Sequence, residues 1–206
     1  MDEMIETVLR EYEERATAED AVMASLEGRR EMLEQRDRFL LPVGRHTGSL
    51  LNILVRDSGA TRVLEVGTSY GYSTVWLADA VRATGGKVTT LEVIPEKQDH
   101  ARAQLARAGL TSFVEFRIGD ARESLAALSG PFDFVLIDLW KDLYVPCFDL
   151  IYPKLSPGAI VVADNMIQPE VTREEAKKYQ THVRRFDDVD SVLLPVGSGI
   201  EVSRKA

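Results

Sequence analysis

The amino-acid sequence predicts a doubly wound α/β fold, in which helices cover both faces of a mostly parallel sheet. From Thr61 onward, short apolar runs alternate with amphipathic stretches at helical spacing, which is typical of such a fold. The turn-prone pair Gly197-Ser198 joins the two final runs and predicts an antiparallel hairpin at one edge of the sheet. With that hairpin the sheet has seven strands, and we expect a Rossmann-like core.

The predicted elements follow one another in alternating order. The strands are expected at residues 62–66, 87–92, 113–118, 132–138, 159–164, 191–195 and 199–204. The helices between them are expected at residues 72–82, 95–108, 121–128, 145–155 and 172–186. Pro95 and Pro146 fall near the starts of two of these helices, where the missing N–H of proline costs nothing.

The first 38 residues have a different character. They are rich in charge, and their apolar residues recur at helical intervals, as at 4–9 and 22–33. This spacing predicts two or three amphipathic helices that form a solvated lid or a dimer surface. We expect one domain over residues 1–206, with the helical lid at 1–38 and the Rossmann-like core at 39–206.

Composition excludes several classes of protein. The formal net charge of -8 argues against binding to nucleic acid or to an anionic membrane, since an acidic surface repels phosphate. The single cysteine, Cys147, excludes a disulfide within the chain, and the three histidines are too far apart to predict a zinc site. The N-terminus has no signal-peptide pattern and no apolar run is long enough to cross a membrane, so we expect a cytoplasmic protein.

A glycine loop at residues 63–73, VLEVGTSYGYS, is the first candidate binding site. An apolar strand runs into Gly67, Gly71 follows four residues later, and a helix comes next. Ligands of open α/β sheets bind at this position, and glycine lets the backbone approach them closely. The loop lacks the paired glycines of a dinucleotide fingerprint. Glu65, just before it, would repel a pyrophosphate but suits the ammonium group of an amino acid.

Acidic residues at the ends of the next two strands extend this site. Glu92 comes 25 residues after Gly67, where a carboxylate accepts hydrogen bonds from ribose hydroxyls. Asp120 and Ala121 close the third strand, where an adenine would lie. The loop alone also fits a generic strand–helix turn. Together with the two carboxylates, it predicts a ligand that contains adenosine.

Oxygen-bearing side chains also follow the fourth and fifth strands. Asp138 ends the fourth strand, and Asp164 and Asn165 end the fifth. Carboxylate and amide oxygens select Mg²⁺, with Mn²⁺ or Ca²⁺ as near relatives. Taken singly, these residues also fit a helix cap or a turn. Because all three are expected at the same edge of one sheet, the sequence predicts a magnesium site there.

Lys141 lies three residues beyond Asp138 and is the candidate general base. An exposed lysine after a strand is usually only solvated. Beside a bound cation, however, the charged ammonium is disfavoured, so the pKa of Lys141 should fall and the amine becomes a usable base.

These residues resemble a known family. The segments LWKDLYVP and ADNMIQP are similar to the signature of the cation-dependent catechol O-methyltransferases, and VLEVGTSYGYS resembles the cofactor loop of the same family. The closing segment VLLPVGSGIEVSRK looks more like the branch that includes the caffeoyl-CoA O-methyltransferases. The resemblance covers roughly residue 39 to the C-terminus. It implies a class I enzyme that uses S-adenosylmethionine (SAM).

The resemblance also implies a role for each matching position. The metal ligands would be Asp138, Asp164 and Asn165, and the catalytic base would be Lys141. The residues expected to contact SAM are Val43 (through its backbone), Glu65, Gly67, Ser69, Ser73, Glu92, Asp120, Ala121, Asp138 and Trp140. The residues expected around the acceptor are Phe39, Leu41, Trp140, Lys141, Asn165 and Pro169.

The function predicted from these residues is Mg²⁺-dependent transfer of a methyl group from SAM to one hydroxyl of a small catechol-like molecule. The chain departs from the family at Leu139, where the catechol enzyme has histidine, and at Ala121-Arg122, where it has serine and glutamine. No C-terminal glutamate aligns clearly with the one that holds the second hydroxyl. The resemblance leaves open a homodimer built through the N-terminal helices.

Two other functions fit the same sequence. One is the same chemistry on a bulkier acceptor, such as a caffeoyl-CoA-type ester. Its phosphates would need a basic lip, for which the candidates are Arg29, Arg30, Arg36, Arg38 and Arg45. The other is a SAM-binding protein without catalysis, although the presence of Lys141 with all three metal oxygens argues against it.

Overall fold

The computed structural model describes residues 2–26 and 38–206. The strands are β1 (Arg62–Val66), β2 (Lys87–Glu92), β3 (Val114–Ile118), β4 (Phe132–Ile137), β5 (Leu155–Ala163), β6 (Val189–Leu194) and β7 (Ile200–Lys205). The α-helices of the described residues are α1 (Glu3–Leu26), α2 (Arg45–Asp57), α3 (Tyr72–Thr84), α4 (Pro95–Arg107), α5 (Ala121–Ala127), α6 (Tyr144–Ile151) and α7 (Arg173–Val183).

The predicted architecture is confirmed. All seven strands form one sheet in the order β3-β2-β1-β4-β5-β7-β6. The first five pair in parallel, whereas β7 pairs antiparallel with both β5 and β6. The hairpin of β6 and β7 therefore closes one edge, as the pair Gly197-Ser198 predicts. The carboxyl ends of β1, β2, β4 and β5 lie side by side, and this edge holds the candidate site.

Helices cover both faces of the sheet, and a separate apolar core lies under each layer. One core joins α1, α2, α3 and α4 to one face, with Leu9, Leu51 and Leu77 fully buried in it. The other joins α5, α6 and α7 to the opposite face. Its centre is aromatic, since Tyr144 and Tyr179 are fully buried side chains there. Two covered faces explain why apolar residues predominate in β4 and at the end of β5.

The described part of the N-terminal region is one helix. Helix α1 covers the apolar pattern at 4–9 and reaches into the pattern at 22–33 as far as Leu26. In its first half Ile5, Val8 and Leu9 are buried, so that half is part of the core. In its second half Val22 is exposed. The part of the predicted pattern at 27–37 lies outside the described residues.

Helix α2 was missed at the sequence level. Its Leu51 and Val55 are spaced for one helical face and are fully buried. It packs closely on α3, because a Cβ atom at Gly48 would lie only 2.4 Å from the Trp76 side chain. The segment is short, and the small or polar residues Thr47, Gly48 and Asn52 share its buried face with Leu51 and Val55.

None of the helices in the described part of the chain is long and apolar enough to span a membrane.

Candidate active site

The glycine loop after β1 is shaped by close contact with β4. Gly67 has φ 108°, and a Cβ atom there would lie 1.9 Å from the backbone oxygen of Asp138. Only glycine fits this position, since any side chain would meet the neighbouring backbone. The N–H groups of Gly67 and Thr68 both donate to the Leu91 oxygen, at 3.1 and 3.0 Å. The loop is therefore fastened to both neighbouring strands.

Glu92 at the end of β2 holds the same loop. Its Oε2 accepts the N–H of Ser69 at 2.7 Å, and its Oε1 accepts the N–H groups of Val93 and Ile94 at 3.0 Å each. Ser69 has φ 47°, a left-handed conformation that this hydrogen bond stabilises. The structure thus brings two predicted cofactor residues, Ser69 and Glu92, into contact. The contact of Glu92 with ribose stays a prediction.

Glu65 lies beneath the loop and is fully buried. Its carboxylate accepts hydrogen bonds from the hydroxyls of Ser73, Thr74 and Thr90. Burial raises the pKa of Glu65 to about 7, and the three hydroxyls oppose that rise. Ser73, another predicted cofactor residue, therefore points to Glu65 in this structure. Contact of either residue with the amino-acid end of SAM stays a prediction.

At the end of β3, Asp120 has a local structural role in addition to its predicted place near the adenine. It is the N-cap of α5, where its carboxylate accepts the N–H groups of Arg122 and Glu123. It also pairs with the Arg122 guanidinium at 3.2 Å, and this hydrogen bond lowers the pKa of Asp120. Ala121 is half-buried beside it.

Two exposed apolar side chains at this edge were missed. Val93 directly follows Glu92 and is 63% exposed, and Ile118 ends β3 and is 50% exposed. They lie at the strand ends where an adenine is expected. The signal in the sequence was their position beside Glu92 and Gly119 at two neighbouring strand ends, since single exposed apolar side chains are common on protein surfaces.

The three predicted metal ligands come together at the ends of β4 and β5. Asp164 is 2% exposed, and its Oδ1 is buried without a hydrogen-bond partner. Burial raises the pKa of Asp164 to about 7, and the neighbouring Asp138 carboxylate raises it further. Burial likewise raises the pKa of Asp138, although Lys141 opposes the rise. Asn165 has φ 54°, a left-handed conformation that asparagine tolerates.

This donor set fits a hard divalent cation. Asp164 is a buried carboxylate whose pKa the neighbouring Asp138 raises, and one of its oxygens has no hydrogen-bond partner, so a cation between the two carboxylates would stabilise them. Within residues 2–26 and 38–206, no group of three or more His, Cys, Asp and Glu side chains is arranged so that it could hold a metal ion. A site here would have only two carboxylates, and its third oxygen would be the amide of Asn165.

Lys141 is half-buried rather than solvated. Its Nζ donates to the hydroxyl of Tyr144 and lies 3.4 Å from Oδ1 of Asn165. Burial lowers the pKa of Lys141 to about 8, while Asp138 and Asp164 oppose that shift. The pKa of Lys141 is therefore lowered, as predicted, but the cause in this structure is burial rather than a neighbouring cation. The sequence did not single out Tyr144, whose hydroxyl also donates to the backbone oxygen of Asp164 at 3.2 Å.

The residues expected around the acceptor are divided between buried and exposed positions. Phe39 is 7% exposed, whereas Leu41 and Trp140 are 48% and 42% exposed and Pro169 is also exposed. Val171, just beyond Pro169, is 86% exposed and was not predicted. Val43 is buried just before α2, and its backbone oxygen lies beside Gly197 of the closing hairpin.

A network from α1 fastens the segment that carries Phe39 and Leu41. Glu19 accepts the N–H of Leu40 at 2.6 Å and also binds Arg15. Arg15 covers the ring of Tyr70 in the glycine loop, and the Tyr70 hydroxyl donates to the Arg38 oxygen at 3.1 Å. The segment and the glycine loop are thus joined through one helix. Sequence reasoning missed this link.

The proposed basic lip is only partly within the described residues. Arg29, Arg30 and Arg36 lie outside them. Arg45 binds Glu13 at 3.0 Å and Glu6 at 3.1 Å. Its charge is therefore already paired within the protein, and of the two described arginines only Arg38 remains for such a lip.

Known proteins with similar sequences are O-methyltransferases. The sequence model of a family described as O-methyltransferase matches residues 13–206. A catechol O-methyltransferase of Niastella koreensis is 35% identical over 167 residues, which cover 75% of each chain. A caffeoyl-CoA O-methyltransferase of Zea mays is 26% identical over 202 residues, which cover 88% of this chain and 76% of the maize protein.

Among solved structures, an O-methyltransferase from Bacillus cereus in complex with SAH superimposes with a TM-score of 0.78. It is 27% identical, and the match covers 100% of this chain and 92% of the other.

Proposed function

The chain belongs to this O-methyltransferase family and is a SAM-dependent O-methyltransferase, and from that premise we propose that it methylates one hydroxyl of a small catechol-like molecule with the help of Mg²⁺. The metal would be held by Asp138, Asp164 and Asn165. Lys141 would be the catalytic base.

The buried Oδ1 of Asp164 is the observation that carries this proposal. A carboxylate oxygen that is removed from water and has no hydrogen-bond partner costs free energy unless something binds it. Asp138 and Asn165 offer oxygens beside it, and the amine of Lys141 lies on the same edge. Oxygen ligands next to a base suit a reaction in which a hydroxyl must lose its proton.

The residues of this site divide the chemistry among them. When bound, SAM supplies a methyl group on a sulfonium centre and Mg²⁺ supplies positive charge that favours a deprotonated hydroxyl. Lys141 takes the proton of the acceptor hydroxyl at its Nζ, which is the role of a general base. Glu92 and Gly67 keep the cofactor loop in place. Positioning of the two reactants then contributes most of the rate, because it makes the step effectively unimolecular.

A small acceptor is favoured over a CoA ester by the surface charges. The phosphates of a CoA ester need free cations at the rim of the site. Arg45 is paired with Glu6 and Glu13, and the net charge of the chain is -8. The higher identity to the Niastella koreensis catechol O-methyltransferase than to the maize caffeoyl-CoA O-methyltransferase supports the same choice.

The test is methyl transfer from SAM to 3,4-dihydroxybenzoic acid, with Mg²⁺ and then with excess EDTA. We expect turnover that stops with EDTA and returns with added Mg²⁺. The control acceptor is 4-hydroxybenzoic acid, which lacks the vicinal diol and should not react. Turnover that persists in EDTA would refute the metal role. Measurable SAM binding without turnover of any catechol would instead favour the CoA ester or a non-catalytic role.

A further inference from the structure

The amine of Lys141 donates a hydrogen bond to the hydroxyl of Tyr144 and lies 3.9 Å from the centroid of the Tyr144 ring. We propose that Tyr144 is a positioning residue, which holds Nζ of Lys141 where it can accept the proton of the acceptor hydroxyl. This role rests on the proposed function, because it requires Lys141 to be the base. It is a separate claim about a residue that does not itself touch the reacting atoms.

The ring of Tyr144 is held rigidly. Tyr144 is the first residue of α6 and is fully buried. Its ring packs edge-to-face on Tyr179, with 5.6 Å between centroids, and Tyr179 packs the same way on Phe148 at 5.8 Å. A side chain enclosed by buried aromatic rings has little freedom to rotate. The position of its hydroxyl is therefore determined by the core.

The orientation of this hydroxyl is also determined. A phenol has one proton to donate, and Tyr144 donates it to the backbone oxygen of Asp164 at 3.2 Å. Its lone pairs are left for the Lys141 amine, which donates to them. Burial keeps the pKa of Tyr144 well above its ordinary value, so the phenol stays neutral and keeps this arrangement. The hydroxyl thus connects the base to the backbone of a predicted metal ligand.

Lys141 needs such an anchor. Lys141 begins a short 3₁₀ helix of one turn, Lys141–Leu143, and its side chain has four rotatable bonds. Its other polar side-chain contact is Oδ1 of Asn165 at 3.4 Å, which is the oxygen that a cation would take. The hydroxyl of Tyr144 remains available when the metal site is filled. It is therefore the contact suited to hold the amine during the reaction.

The test substitutes Tyr144→Phe, and Tyr179→Phe is the matched control. Both tyrosines are fully buried, but the Tyr179 hydroxyl has no hydrogen-bond partner, so its removal should leave turnover unchanged. We expect Tyr144→Phe to lower kcat roughly 10- to 100-fold, which is part of what a general base contributes. The Kd for SAM and the Mg²⁺ concentration for half activation should stay close to those of the wild type, and Tm should fall by only a few degrees because two buried hydrogen bonds are lost.

A double-mutant cycle then separates positioning from other roles. In a Lys141→Ala background, Tyr144→Phe should have no further effect on kcat, since the hydroxyl acts through the lysine. An equal loss in both backgrounds would overturn the proposal. A shift in the Mg²⁺ requirement with unchanged kcat at saturating Mg²⁺ would also overturn it, because the hydroxyl would then act through Asp164.

A crystal structure of Tyr144→Phe with SAH gives a readout that does not depend on activity. We expect Nζ of Lys141 to leave its wild-type position or to occupy several rotamers, whereas a single unchanged position would contradict the proposal. Failure of the proposed function has a different signature, namely a wild-type enzyme that does not turn over any catechol with Mg²⁺.

Discussion

Asp164 shows how a single buried atom predicts a ligand. Without a cation, the unpartnered Oδ1 of Asp164 destabilises the folded state, because a buried charge has lost its contact with water. Mg²⁺ should therefore stabilise the fold by binding there. At a Mg²⁺ concentration of about 100 times Kd, we expect Tm of the wild type to rise by about 5 °C. Asp164→Asn should abolish this rise and should be at least as stable as the wild type in EDTA. Differential scanning fluorimetry with Mg²⁺ and with EDTA measures both effects.

The control for this experiment is Asp142→Asn. Asp142 lies next to Lys141 in the sequence. It is a carboxylate like Asp164, but it is exposed. Its substitution should leave the Mg²⁺ response intact. An Asp164→Asn protein that Mg²⁺ stabilises as much as the wild type would show that the cation binds elsewhere.

Lys141 provides a second prediction at this scale. Lys141→Ala removes the amine but leaves the cofactor loop intact, so turnover should fall about 10²- to 10⁴-fold while the affinity for SAH is unchanged. Steady-state kinetics and calorimetric titration of SAH measure the two quantities. Lys178→Ala is the control, because Lys178 lies on the exposed side of α7 and pairs with Glu175 on the same helix. A comparable loss of SAH affinity would refute the assigned role.

The residues of the site differ in how far the sequence could predict them. The approach of Asp138, Asp164 and Asn165 followed from strand order alone, since parallel strands place their carboxyl ends together. The hydroxyls that donate to Glu65 and the hydrogen bond that Lys141 donates to Tyr144 could not be predicted from strand order. Both depend on the directions in which side chains from different elements point. The capping role of Asp120 was predictable from its place before a helix.

At the scale of elements, α1 is more than a cover. Its Glu19 binds the N–H of Leu40, and its Tyr12 hydroxyl binds the backbone oxygen of Tyr70 in the glycine loop. The same helix thus contacts the segment expected to face the acceptor and the loop expected to face the cofactor. The position of α1 should therefore affect binding of the acceptor but not the rate of the methyl-transfer step.

Glu19→Ala tests this effect of α1. Loss of a charged acceptor for the Leu40 N–H should loosen the segment with Phe39 and Leu41, so KM for the catechol should rise roughly tenfold. The value of kcat at saturation should change little, because Lys141 and the metal ligands are not involved. Glu14→Ala is the matched control on the same helix, since Glu14 is exposed and pairs with the likewise exposed Arg10 at 3.9 Å. Equal KM values for the two variants would contradict the prediction.

Element boundaries show where periodicity suffices and where it fails. The first two strands were predicted at the observed residues, although buried polar residues interrupt both of them, Glu65 in β1 and Thr90 in β2. The strand predicted at 159–164 begins earlier, at Leu155, where the polar residues Ser156 and Gly158 interrupt the run. Helix α2 was missed for a similar reason, because small and polar residues occupy its packing face.

For the whole molecule, the buried carboxylate of Glu65 links stability to pH. Its pKa is raised to about 7 in the folded chain, against 4.5 for the ordinary value. The folded state therefore binds a proton more tightly than the unfolded state. The stabilisation from this proton is complete below pH 4.5 and is lost as pH rises through about 7. Exposed carboxylates such as Asp120 and Glu11, whose pKa values are lowered, act in the opposite direction.

Glu65→Gln isolates this contribution, because glutamine keeps the shape of the side chain and has no charge to bury. Relative to the wild type, the variant should gain stability between pH 4.5 and pH 8, by about 3 kcal/mol at most. Urea unfolding in EDTA at several pH values measures the difference, and the contributions of Asp138 and Asp164 cancel because both proteins share them. Glu14→Gln, at an exposed position, should show no such trend. A constant difference between Glu65→Gln and wild type across this range would mean that Glu65 is ionised in the folded protein at pH 5. The hydroxyls of Ser73, Thr74 and Thr90 would then outweigh the cost of its burial.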